Sequence, residues 1–227
     1  MFFWDPTMIL LIPALILAFW AQAKVKGAYA KYSRIRSASG LTGAQVARSI
    51  LNQNGLSDVD IEEQPGQLSD HYDPRTRTVR LSEGVYRYNS VAALGIAAHE
   101  VGHAIQHSRG YAPLAFRSML LGPANLGSWM AFPLFFIGFI FSSMHVLMTV
   151  GIILFTAALA FQLVTLPVEF DASRKAIDNL RRSGILEESD VSGARAVLSA
   201  AALTYVAAAT MALSQLIRLL VLRNMRD

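Results

Sequence analysis

SMLLGPANLGSWMAFPLFFIGFIFSSMHVLMTVGIILFTAALAFQLVTLPV, residues 118–168, contains no Asp, Glu, Lys or Arg. An uncharged run of 51 residues is far too long for one core helix. A membrane span needs about 20 apolar residues, so the stretch reads as two spans, at 122–141 and 146–166, joined by a tight turn. Ser142-Ser143-Met144-His145 is its only polar interruption and marks the tip. Arg117 precedes the run, and Arg174, Lys175, Arg181 and Arg182 follow it. Basic residues stay in the cytoplasm, which puts both feet of the hairpin there and His145 outside, as a loop residue and not a ligand.

The rest of the 227 residues agrees with a membrane setting. The chain is 53% hydrophobic and 16% charged, with a mean hydropathy of +0.38. Disorder would need the opposite balance. With no cysteine, a disulfide-stapled secreted domain is excluded. The net charge of +4 invites a nucleic-acid reading, but no basic stripe with interleaved aromatics supports one. Charge at membrane ends accounts for the excess, so no nucleic-acid partner is expected.

Two further apolar stretches flank this pattern. Residues 7–23 form a span followed by Lys24, Lys26, Lys31, Arg34 and Arg36. A signal peptide carries its positive charge before the apolar core. Here the start is Met1-Phe2-Phe3-Trp4-Asp5, so the segment is expected to stay as an anchor with an outside N-terminus. Residues 196–217 are long enough to span, with Arg218 able to snorkel, or to pack as a helix at the interface. The expected organisation is an anchor at 1–23, a cytoplasmic domain at 24–117 and a transmembrane hairpin at 118–168. A cytoplasmic segment at 169–195 and the fourth apolar helix at 196–227 complete it. This makes a mainly α, membrane-anchored, zincin-like (gluzincin-type) fold with a small β-hairpin or sheet and three to four transmembrane helices.

Within the cytoplasmic part, Leu41 to Asn54 reads as an amphipathic helix opened by a Thr42/Gln45 capping box and closed by Gly55. Residues 59–63 and 78–82 alternate like short strands, the second like an edge strand. A second helix is predicted from Ser90 to about His107, stopped by Gly110.

That helix contains His99-Glu100-Val101-Gly102-His103. Histidines at i and i+4 share one face, so both imidazoles can reach one metal. Glu100, about 100° around the helix, stands beside the metal, where it can take a proton from water. Zn²⁺ needs a third protein ligand. His107 lies about 12 Å along the axis from His99 and cannot share the ion. His71 is a possible ligand that nothing around it demands. Glu169 is the better candidate, because the hairpin returns the chain to the leaflet it left. Pro167 suits a helix N1 position, and a helix starting there would put Glu169 and Ser173 on one face. Asp171, about 200° round from Glu169, reads as an N-terminal charge favouring the helix dipole. Arg174 and Lys175 read as membrane-edge charges.

Ser69-Asp70-His71-Tyr72-Asp73-Pro74, Arg80-Leu81-Ser82-Glu83-Gly84-Val85-Tyr86, the helix from Ala97 to His107, and Leu166-Pro167-Val168-Glu169-Phe170-Asp171-Ala172-Ser173 resemble the bacterial neutral zinc metallopeptidase family of small (YugP-like) membrane proteins. The layout is also similar to the heat-shock-associated membrane metalloproteases and the CAAX-processing zinc proteases. Those families carry an aspartate four residues after the ligand glutamate, where this chain has Ser173.

The expected function is a zinc metalloendopeptidase of the bacterial inner membrane, multi-pass, with its catalytic domain on the cytoplasmic side. Membrane-associated or unfolded proteins are its substrates, lipid its other partner, and the strand at 78–82 would bind substrate by strand addition. His99, His103 and Glu169 are the expected metal ligands, and Glu100 the catalytic base. An intramembrane protease would need more than the eight apolar residues at 91–98 and an Asp-Gly motif that the chain lacks. The alternative from another class is a non-catalytic scaffold or quality-control adaptor with a structural or vestigial metal.

Overall fold

The computed structural model describes residues 6–184 and 186–226; residues 1–5 of the expected anchor lie outside them. The chain is mainly helical, with one small sheet. Its elements are α1 (Ile12–Tyr32), α2 (Gly43–Gln53), β1 (Asp60–Gln64), β2 (His71–Asp73), β3 (Thr78–Ser82), α3 (Glu83–Tyr86), α4 (Val91–Ser108), α5 (Ala112–Ile140), α6 (Val146–Arg182) and α7 (Glu188–Asn224). Among the described residues, four helical stretches are long and apolar enough to cross a membrane: Pro6–Tyr32, Ala112–Ile140, Val146–Arg182 and Glu188–Asn224. The fourth contains the stretch 196–217.

The chain packs as two compact units. One comprises Met1–Gln22, Ala115–Pro167 and Leu203–Asp227, the other Ala23–Leu114 and Val168–Ala202.

In the first unit, α5 and α6 run back to back after a turn at Ser142–Met144. Phe135, Ala131, Met148, Phe155 and Leu219 form its core. A Cβ built on Gly151 would lie 2.6 Å from the Ala131 carbonyl oxygen, so the two backbones meet where only glycine fits. Close approach at small residues is how helices associate when lipid removes the hydrophobic drive. Pro123 and Pro133 sit inside α5. Arg218 does not snorkel to water: it is buried, and its Nε donates to Thr7 Oγ1 at 3.1 Å.

The second unit is built on α4, whose apolar residues pack with Val46, Ile50 and Leu51 of α2, Val79 and Leu81 of β3, and Ile177 and Leu180 of α6. The capping box of α2 forms in full: Thr42 Oγ1 accepts from Gln45 N at 3.3 Å, and Gln45 Oε1 accepts from Thr42 N at 2.9 Å. Arg48 ties α2 to the entry of β1 by donating to the Ser57 and Val59 carbonyls.

The three strands lie in the order β1-β3-β2, with β3 parallel to β1 and antiparallel to β2. β3 is therefore the central strand, and the expectation of an edge strand at 78–82 is overturned. Alternation reports which faces are buried, not how many neighbours a strand has. With both edges of β3 already paired, it has no free ladder to offer a substrate strand.

Candidate metal centre

Ser90 opens α4 by accepting the Ala93 N–H at 3.2 Å. Gly110 ends the segment in the left-handed region, at φ +61°. Between them, the helix presents His99 and His103 one turn apart, with ring centroids 4.8 Å apart and nearly perpendicular. Across from this face runs α6. The two helices come close at Gly102, where an added Cβ would stand 2.6 Å from the Ala172 carbonyl oxygen.

That approach places Glu169 between the histidines. Its Oε2 lies 3.2 Å from His99 Nε2 and 3.7 Å from His103 Nε2. The three candidate donor atoms all fall within 4.8 Å of one another, and these residues could hold a metal ion. Donors on a tetrahedral Zn²⁺ with bonds of 2.0–2.1 Å stand about 3.4 Å apart, close to the two spacings to Glu169. Two imidazoles and a carboxylate are also the donor set of an open zinc site, with one position left over. The residues fit the ion.

Glu100, the next residue after His99, is buried at 7% exposure. Burial pushes its carboxyl above the usual range, while His99 and His103 pull it partly back. For His103, burial favours the neutral ring, but Glu169 and Glu100 outweigh it and the pKa rises.

The outer ring nitrogens are also engaged. His99 Nδ1 is 3.2 Å from Ser173 Oγ, so Glu169 and Ser173 do share the face that meets α4. His103 Nδ1 is 3.0 Å from Gln106 Oε1, and Gln106 Nε2 donates to the Val168 carbonyl (2.8 Å) and to Asp171 Oδ2 (2.9 Å). Asp171 Oδ1 accepts from Arg174 at 2.5 Å, and its Oδ2 accepts from Lys175.

Three expectations are corrected here. α6 runs unbroken through Pro167, so no helix begins there and Asp171 is no N-terminal charge. A proline can sit inside a long helix whose other turns carry it. Asp171 reaches the His103 side of the centre through Gln106, and Arg174 and Lys175 are its ion-pair partners, not loose edge charges. Gln106 is the residue that sequence reasoning passed over. Its signal was the i+3 spacing from His103, which puts a long amide beside the imidazole.

The other candidates fall elsewhere. His107 Nδ1 meets the Tyr72 hydroxyl at 2.9 Å, and exposed His71 turns its Nδ1 to the Ser69 carbonyl. Neither belongs to the three-residue group.

Residues 7–224 match the model of a family described as "Putative neutral zinc metallopeptidase". The chain belongs to the neutral zinc metallopeptidase family. It is also 49% identical over 219 residues, 96% of this chain and 97% of the relative, to "Putative membrane protease YugP" of Bacillus subtilis. No solved structure matches the chain. The family supplies the metal, zinc, and the cluster of His99, His103 and Glu169 is a group of residues that could hold it.

Proposed function

We propose that the chain is a multi-pass zinc metalloendopeptidase of the bacterial inner membrane that hydrolyses peptide bonds in membrane-associated or unfolded proteins. His99, His103 and Glu169 hold the metal, and Glu100 is the catalytic base. The observation that carries this reading is the convergence of His99, His103 and Glu169, whose donor atoms lie within 4.8 Å of one another, with the buried Glu100 next to His99 on the same helix.

Bound Zn²⁺ would supply a Lewis acid that polarises the scissile carbonyl and lowers the pKa of water toward about 7. Glu100 takes one proton from the attacking water onto a carboxylate oxygen and delivers it to the departing amine nitrogen. A carboxyl raised by burial suits both halves of that task, since it holds a proton more readily than an exposed one. Glu169 brings a negative charge to the donor set, and Ser173 steadies His99.

The basic residues after the first span and at both feet of the hairpin favour a cytoplasmic catalytic side. On this reading, 24–117 and 169–195 form the catalytic body, 1–23 the anchor, 118–168 the hairpin, and 196–227 a further spanning helix. Substrate strands cannot add to β3, which leaves the outer edges of β1 and β2 among the described strands.

The test is Glu100→Gln in purified full-length protein. Zinc content stays at the wild-type level while cleavage of an unfolded protein substrate falls by at least about 100-fold. Cleavage at the wild-type rate would overturn the assignment of Glu100, and absence of cleavage by the wild-type protein would favour the adaptor. Loss of zinc together with activity would make Glu100 a ligand, not a base.

A further inference from the structure

Gln106 is fully buried, at 0% exposure. Burying an amide is costly unless its hydrogen bonds are satisfied, and a leucine would fill a comparable volume with no such requirement. What the amide adds is direction. Its Nε2 faces two acceptors that cannot donate, the Val168 carbonyl and the Asp171 carboxylate. Rotating the amide by half a turn would set its carbonyl oxygen against both. The orientation is therefore fixed, with Oε1 toward His103 Nδ1.

An amide oxygen only accepts, so the proton of the neutral imidazole must sit on Nδ1. The lone pair is then on Nε2, the nitrogen that faces Glu169. At His99 the outer nitrogen has no acceptor-only partner of this kind. Its Nδ1 meets the Ser173 hydroxyl, which can either donate or accept. At His103 it is an acceptor away from the metal side that sets the proton.

Asp171 is held in turn by Arg174 and Lys175, its neighbours three and four residues on. The order runs from these cations to Asp171, to Gln106, to His103. We infer that Gln106 is a positioning residue that keeps His103 in the tautomer able to bind a metal, and that Asp171 serves the centre by fixing the Gln106 amide rather than by ligation. This rests on the zinc-binding reading above. In its absence the chain would have no reason to orient that imidazole.

The experiment measures zinc dissociation constants by chelator competition, on detergent-purified full-length protein. Thermal unfolding of each metal-free variant checks that it is folded. Gln106→Met keeps the bulk and removes the acceptor, and zinc binding weakens about 10- to 100-fold. Asp171→Leu, which leaves the Val168 carbonyl as the amide's one remaining acceptor of the two, weakens binding by at least about fivefold. Asp171→Asn keeps an acceptor for Gln106 while losing both ion pairs, and stays within about threefold of wild type. A role in pairing Arg174 and Lys175 alone predicts equal losses for Asn and Leu at 171, and that result would overturn the inference. So would wild-type affinity in Gln106→Met. If Gln106→Met does not fold, the comparison at position 171 decides by itself. Failure of the wild-type chain to bind one zinc would instead strike the proposed function.

Discussion

Gly102→Ala is the smallest change that should open the metal centre. The added methyl would sit 2.6 Å from the Ala172 carbonyl oxygen and 3.1 Å from its carbonyl carbon and Cα. That is about 1 Å inside a comfortable packing distance, and the obstacle is backbone, which cannot rotate aside. α6 must therefore shift by something near 1 Å at Ala172, three residues from Glu169 and next to Ser173. Overpacking of this kind costs about 1–3 kcal/mol, while replacing a mid-helix glycine with alanine returns about 1 kcal/mol. The net loss of stability is then about 0–2 kcal/mol, and the protein still folds. The centre is less tolerant, because a displacement near 1 Å can reduce turnover about 100-fold. Three readings on one preparation test this: thermal unfolding of the metal-free protein, zinc affinity, and cleavage of an unfolded substrate. The expected pattern is small, large, large. Zinc affinity and turnover both within about twofold of wild type would refute the idea that the Gly102–Ala172 approach sets the donor spacing.

Other outcomes follow from single residues. Leu94 is fully buried in the core beneath α4, and Leu94→Ala should cost about 2–5 kcal/mol, measured by denaturant unfolding of the metal-free protein. Asp73 has its carboxyl held down to about 2 by the Arg75 N–H and by Arg80. A depressed carboxyl contributes stability above its unfolded value of about 3.9, and that contribution is lost as pH falls toward 2. Asp73→Asn should therefore flatten the stability profile between about pH 4 and pH 2 and leave its slope near neutrality unchanged.

Local features of this fold are written close to the residues that make them. The Thr42/Gln45 box forms as its spacing demands, and Ser90 and Gly110 bracket α4 as caps and stops do. The face shared by His99 and His103 follows from helical geometry alone. What the sequence hides is pairing at a distance. Nothing in Thr78 to Ser82 tells a strand with one neighbour from a strand with two, because β1 and β2 both precede β3 in the chain and only the fold sets them on its opposite edges. Pro167 looks like a helix start only while its neighbours are unknown. The long apolar helix before it supplies enough hydrogen bonds to carry one missing N–H. Asp171 was invisible as a partner of the centre because its link runs through Gln106, 65 positions earlier.

The candidate donor set also orders the events of synthesis. His99 and His103 leave the ribosome on α4 some 70 residues ahead of Glu169. Everything between the two helices includes the uncharged stretch that must first be laid into lipid. A nascent or truncated chain that ends before α6 has the two imidazoles but lacks Glu169, too few ligands for a catalytic zinc site of the proposed kind. On the proposed function, completion of the centre thus comes only after the bilayer segment has been made, and a half-built chain would not hydrolyse its surroundings or itself.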